Sequence, residues 1–94
     1  MEHPQCVRVL IDGRVQGVWF RGWTVEQAQL RGLAGWVRNL SDGRVEAVFA
    51  GSPADVDDMV NACRRGPPSA RVTSVEVEAW SDLPGHGFHQ RPTV

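Results

Sequence analysis

From Cys6 to Asp12 apolar and polar positions alternate, with Val7, Val9 and Ile11 on one face and Cys6, Arg8 and Leu10 on the other. This period of two predicts a β-strand. Gly13 to Val18 breaks the alternation and reads as a loop. A helix is expected from about Phe20 to Arg31, with Gly32 as its stop signal. Its apolar residues (Phe20, Trp23, Val25, Ala28 and Leu30) fall on no single stripe. Gly22 weakens its first turn by roughly 1 kcal/mol relative to alanine. Arg31 stands where a core residue is expected, so either it snorkels or the helix is locally shifted.

The second half is more regular. Trp36 to Asn39 reads as a strand, Leu40-Ser41-Asp42-Gly43 as a hairpin with its Asp-Gly cue, and Arg44 to Ala50 as a third strand ended by Gly51. Ser52-Pro53-Ala54-Asp55 places a capping serine before proline and an acid, opening a helix that runs to about Arg65. On it Val56, Met59, Val60 and Cys63 form an apolar stripe at helical spacing. Gly66-Pro67-Pro68-Ser69 ends the helix, and Arg71 to Trp80 alternates again. A turn-rich stretch from Ser81 to Gly87 leads to a short strand around Phe88 to Arg91, which Pro92 is expected to truncate. The order β-α-β-β-α-β predicts an α+β, ferredoxin-like sandwich. Its expected form is an antiparallel sheet in the order 4-1-3-2, with two helices on one face and a short C-terminal strand.

The chain has 94 residues, the size of one domain, expected over 1–94. Net charge is −1, so no bulk basic field draws it to nucleic acid. All ten basic residues are arginine. Without lysine, Schiff-base chemistry and a Walker-type phosphate loop are excluded. No apolar run approaches the length of a membrane span. Met1-Glu2-His3-Pro4-Gln5 has neither the basic nor the apolar region of a signal peptide, so a cytoplasmic protein is expected. Cys6 and Cys63 are expected on opposite sides of the sheet, as two reduced thiols. His86 and His89 have no third ligand at metal spacing and read as solvated loop residues. Trp23, Trp36 and Trp80 read as core or helix–sheet contacts.

The chemistry concentrates in Gly13-Arg14-Val15-Gln16-Gly17-Val18-Trp19-Phe20-Arg21. A glycine loop between a strand and a helix lets backbone N–H groups converge on an anion. Arg21 at the helix mouth adds a planar, permanently charged fork suited to phosphate or carboxylate. Trp19 either walls the pocket or covers the core edge.

This stretch resembles the first motif of the acylphosphatase family. Gly35-Trp36-Val37-Arg38-Asn39-Leu40-Ser41-Asp42-Gly43-Arg44-Val45, followed after five residues by Gly51, resembles the second. The resemblance covers roughly residues 5 to 92. It implies hydrolysis of the carboxyl–phosphate bond of small acyl phosphates to a carboxylate and inorganic phosphate, without a metal or cofactor. It further implies Arg21 and Asn39 as the catalytic pair. The phosphate cradle it implies is the backbone of Gln16, Gly17, Val18, Trp19 and Phe20. No nucleic-acid or membrane partner is expected, and a monomer suffices. Ala50 departs from the polar residue usual before the closing glycine, and Leu30 and Arg31 are exchanged relative to the usual helix pattern.

Two other readings compete. RNA-binding modules share the topology but need exposed aromatics on the central strands and a basic face. The first strand here carries Arg8 and no aromatic, and the third carries Phe49 alone. A non-catalytic anion sensor would keep the loop yet has no use for a water-orienting amide at Asn39.

Overall fold

The computed structural model describes residues 4–94; Met1, Glu2 and His3, part of the N-terminal stretch considered above, lie outside the described residues. The elements are β1 (Gln5–Arg14), α1 (Phe20–Leu30), β2 (Ala34–Asn39), β3 (Val45–Gly51), α2 (Pro53–Arg65), β4 (Arg71–Ala79) and β5 (Phe88–Gln90). All strands join one sheet in the order β4-β1-β3-β2-β5, so the expected 4-1-3-2 order holds with β5 added outside β2.

Val7, Val9 and Ile11 of β1, Val37 of β2, and Val45, Ala47 and Phe49 of β3 share one buried cluster with residues of both helices. Both helices therefore cover the same face of the sheet, giving an α+β, ferredoxin-like sandwich. β3 is buried on both faces although helices cover only one. On its open side Val48 lies between Arg8 and Trp36 in register, and Glu46 faces Arg38. Long side chains leaning across the sheet do there what a helix does on the other face. Glu46 accepts from Arg8 Nε and from Arg38 Nε, each at 2.6 Å. Arg8 also reaches Glu78 at 2.7 Å.

The sheet departs from expectation in being mixed. β5 pairs parallel with β2, through Gly35↔Phe88, Trp36↔His89 and Val37↔Gln90. The reason lies in the connection. β4 ends beside Cys6, since the Trp80 N–H donates to the Cys6 carbonyl at 3.0 Å. From there the chain crosses the end of the sheet to the opposite edge, about 19 Å away over four strand spacings. Eight residues span that distance comfortably. The chain then reverses relative to β4, which makes it parallel to β2. Its hydrogen bonding continues past Pro92. The Arg91 N–H donates to the Val37 carbonyl at 2.8 Å, and the Ser41 N–H donates to the Val94 carbonyl at 2.8 Å.

The first strand is longer than its alternation indicates. Gly13 and Arg14 still pair with β4, after a register shift between Asp12 and Gly13. Gly13 thus forms a bulge in the strand, and does not belong to the loop as expected. Its φ is +125°, and a Cβ there would stand 2.1 Å from the Arg71 carbonyl oxygen. The close approach that glycine permits at this point is to β4.

In α1 the buried residues are Phe20, Thr24 and Ala28, a stripe at i, i+4 and i+8. Thr24 completes it because its hydroxyl donates to the Phe20 carbonyl at 2.8 Å, so no polar group is left unpaired. The helix is not shifted. It ends at Leu30, which is exposed, and Arg31 turns to α2, donating to Asp58 at 2.8 Å and to the Gln27 carbonyl at 3.0 Å. Trp23 packs edge-on against Phe20, as a core contact should. Trp36 and Trp80 differ from expectation by lying toward the open side. The Trp36 ring has the guanidinium groups of Arg38 and Arg91 at 4.7 and 4.5 Å, and Arg8 lies 5.7 Å from Trp80. Cys63 is in the helix-side core and Cys6 alternates with Val7 onto the other face.

Candidate active site

The loop between β1 and α1 is anchored by Val15, which is fully buried. Gly17 then takes φ +74° with open space around its Cβ position, so the backbone angle alone calls for glycine. Trp19 also takes a left-handed conformation, with φ 62°. For a non-glycine residue that costs about 1 kcal/mol, and such strain concentrates at functional sites. Val18 turns inward and packs against the core.

The two helix starts differ. Ser52 caps α2 by accepting from the Asp55 N–H at 3.3 Å, and Pro53 removes another donor. Trp19, the cap of α1, offers no side-chain hydrogen bond, and no acidic residue occupies the first turn. The amino end of α1 therefore keeps free N–H groups and the positive end of its dipole. Such an end is a ready anion site.

A cavity of about 110 Å³ opens there, lined by Val15, Gln16, Gly17, Trp19, Phe20, Arg21, Gly22, Asn39 and Gln90. It brings Arg21 and the loop together with Asn39, the last residue of β2. Val18 is absent from this lining. Five ion pairs form among the described residues, and Arg21 takes part in none of them. Among the described residues that line the cavity, Arg21 alone is charged. A larger hollow of about 360 Å³ lies between α2 and the β1/β4 edge, lined by Val7, Val56 and Val60 among others, but neither Arg21 nor Asn39 reaches it.

Gln16 also makes long-range contacts. Its side-chain amide donates to the Leu40 carbonyl at 2.8 Å and to the Arg44 carbonyl at 2.9 Å. Trp19 is 61% exposed, and its indole lies over Gly22, where a Cβ would stand 2.1 Å from Nε1. The glycine that weakens the helix is thus the seat of the tryptophan. Among the described residues, no three His, Cys, Asp or Glu side chains group as metal ligands.

The acylphosphatase family profile matches residues 7–90. A curated acylphosphatase of Rhizorhabdus wittichii is 55% identical over 87 residues, covering 93% of this chain and 88% of that protein. The chain belongs to the acylphosphatase family. As a member it is a hydrolase acting on acid anhydrides. The solved acylphosphatase from Coxiella burnetii superposes with a TM-score of 0.90 at 35% identity, covering 94% of this chain and 93% of that one. The acylphosphatase from Bacillus subtilis superposes with a TM-score of 0.88 at 39% identity, covering 95% and 99%.

Two features of this acylphosphatase-family cavity escape sequence reasoning. Gln90 enters it from β5, a strand of three residues with too little alternation to assign a facing side chain. The Gln16 amide contacts span 24 and 28 positions of chain, and no local pattern encodes them.

Proposed function

We propose that this chain hydrolyses the carboxyl–phosphate bond of small acyl phosphates, releasing a carboxylate and inorganic phosphate. Arg21 and the backbone of Gln16 to Phe20 hold the phosphoryl group, and Asn39 orients a water for in-line attack. The convergence of an unpaired Arg21, Asn39 and the uncapped end of α1 on one small cavity carries this reading.

An acyl phosphate already has a good leaving group, a carboxylate. The site has only to hold the phosphoryl group, spread its charge and place a water. Fixed N–H dipoles and a bidentate guanidinium supply the first two. The Asn39 amide has both a donor and an acceptor with which to orient water, but it is a poor base. The water oxygen bonds to phosphorus as the bond from phosphorus to the acyl oxygen breaks. The water's proton passes to an oxygen of the substrate itself. This chemistry asks for no metal or cofactor, and a monomer of one domain provides every part.

The cavity is several times smaller than the ~300–1,000 Å³ pockets that enclose drug-sized ligands. It fits a phosphoryl group and leaves the acyl end at the mouth, where the exposed Trp19 forms a wall. Turnover of an acyl phosphate in oxygen-18 water tests the bond assignment. The label is expected in inorganic phosphate. Label in the carboxylate would mean attack at carbon and would overturn the proposed roles.

A further inference from the structure

We infer that the Gln16 side chain is a positioning residue, one that sets the gap between the phosphate cradle and Asn39. The inference rests on the proposed role of Asn39 as the water-orienting amide. The cradle and Asn39 belong to separate parts of the chain, the β1–α1 loop and the end of β2. In-line attack needs the two held at a fixed separation, and a misplacement of 1 Å costs about 10²-fold in rate.

The Gln16 amide is a direct tie between them. Leu40 directly follows Asn39, and Arg44 is the residue before Val45, the register partner of Asn39. The same two carbonyls close the hairpin from within. The Leu40 N–H donates to the Arg44 carbonyl at 2.8 Å, and the Gly43 N–H donates to the Leu40 carbonyl at 3.1 Å. Each carbonyl has a second lone pair, and the two N–H bonds of one Gln16 NH2 group take one on each. A primary amide is suited to this task. It presents two donors from one nitrogen and is neutral, so the tie adds no charge beside the phosphoryl site. Gln16 also lines the cavity, so one residue joins the cradle to the strand end that carries Asn39.

The test uses Gln16→Met, which keeps length and removes both donors, alone and combined with Asn39→Ala. Benzoyl phosphate turnover and inhibition by inorganic phosphate are the readouts. Gln16→Met is expected to lower kcat about 10- to 100-fold while the phosphate inhibition constant moves less than about threefold. In the Asn39→Ala background the same change should cost less than about threefold, because its effect runs through Asn39. Equal losses of kcat and phosphate affinity in both backgrounds would mean that Gln16 merely supports the cradle, and would overturn the inference. If Gln16→Met does not fold, Gln16→Glu, of the same size but with an acceptor facing two carbonyls, serves for the same comparison. The two readings fail separately. Full turnover in Asn39→Ala overturns the role of Asn39, whereas an inactive Asn39→Ala beside a Gln16→Met of unchanged kcat overturns only the positioning role.

Discussion

Replacing Glu46 by glutamine probes what holds the open face of the sheet. The Glu46 side chain is 5% exposed and carries Arg8 and Arg38 at 2.6 Å each, while those arginines are 23% and 25% exposed. Breaking a fully buried ion pair by removing one partner costs about 3–5 kcal/mol. Here both guanidinium groups keep a wet edge, Arg8 keeps Glu78, and the new amide still accepts one bond. The expected loss is therefore smaller, about 2 kcal/mol. For a domain of this size that lowers Tm by about 8–16 °C. Acid should erase the difference. Burial pushes the Glu46 carboxyl up, but hydrogen bonds and charge from Arg8 and Arg38 outweigh it and hold the carboxyl below its ordinary value. A carboxyl depressed in the folded state contributes stability above its unfolded pKa and loses it as pH falls through the folded one. The gap between native and Glu46→Gln proteins should thus be full at neutral pH, begin to shrink as pH falls below the unfolded carboxyl's ~4.3, and vanish only once pH has passed below the depressed folded value. Circular dichroism melts across that range measure it. A Tm within about 2 °C of the native protein at neutral pH, or a gap that widens in acid, would mean that Glu46 does not hold the two arginines in this way.

Other outcomes follow from particular contacts. Trp19→Ala should lower kcat/KM for benzoyl phosphate about tenfold and leave acetyl phosphate nearly unchanged, since only the aromatic acyl group has a ring to lose contact with; equal losses would deny Trp19 a place at the acyl end. Gly13→Ala drives a methyl into the Arg71 carbonyl and should cost about 3 kcal/mol in a denaturant melt; an unchanged midpoint would contradict the bulge. Burial pushes the Cys63 thiol up to about 12. A thiol reagent should therefore modify Cys63 only on unfolding, with two free thiols appearing in denaturant.

The parts of the fold that follow from local pattern were legible in the sequence. Alternation marks β1 and β3, and Ser52-Pro53 followed by Gly66 marks both ends of α2 within a residue. What eluded the sequence depends on distant partners. Thr24 is polar, so it hides the stripe of α1 that its own hydrogen bond to Phe20 makes possible. The direction of β5 is set by where β4 ends, and the bulge at Gly13 by the backbone of β4. Trp36 looks like a core residue and is buried by two arginines from its own face. For the site, the two motifs pointed to Arg21 and Asn39, 18 positions apart. The cavity they share, the entry of Gln90 and the reach of Gln16 exist only once β1, β2 and β5 are assembled.

Hydrolysis of benzoyl phosphate in the presence of a chelator, comparing the native protein with Arg21→Ala and Asn39→Ala, tests the proposed catalytic pair most directly. Losing a transition-state donor costs about 10²–10³ in rate. Both folded variants should lose at least that much turnover, with phosphate inhibition weakened in Arg21→Ala and nearly intact in Asn39→Ala. A folded native protein that binds phosphate but releases none from the substrate, or an Asn39→Ala that turns over while failing to bind phosphate, would contradict it.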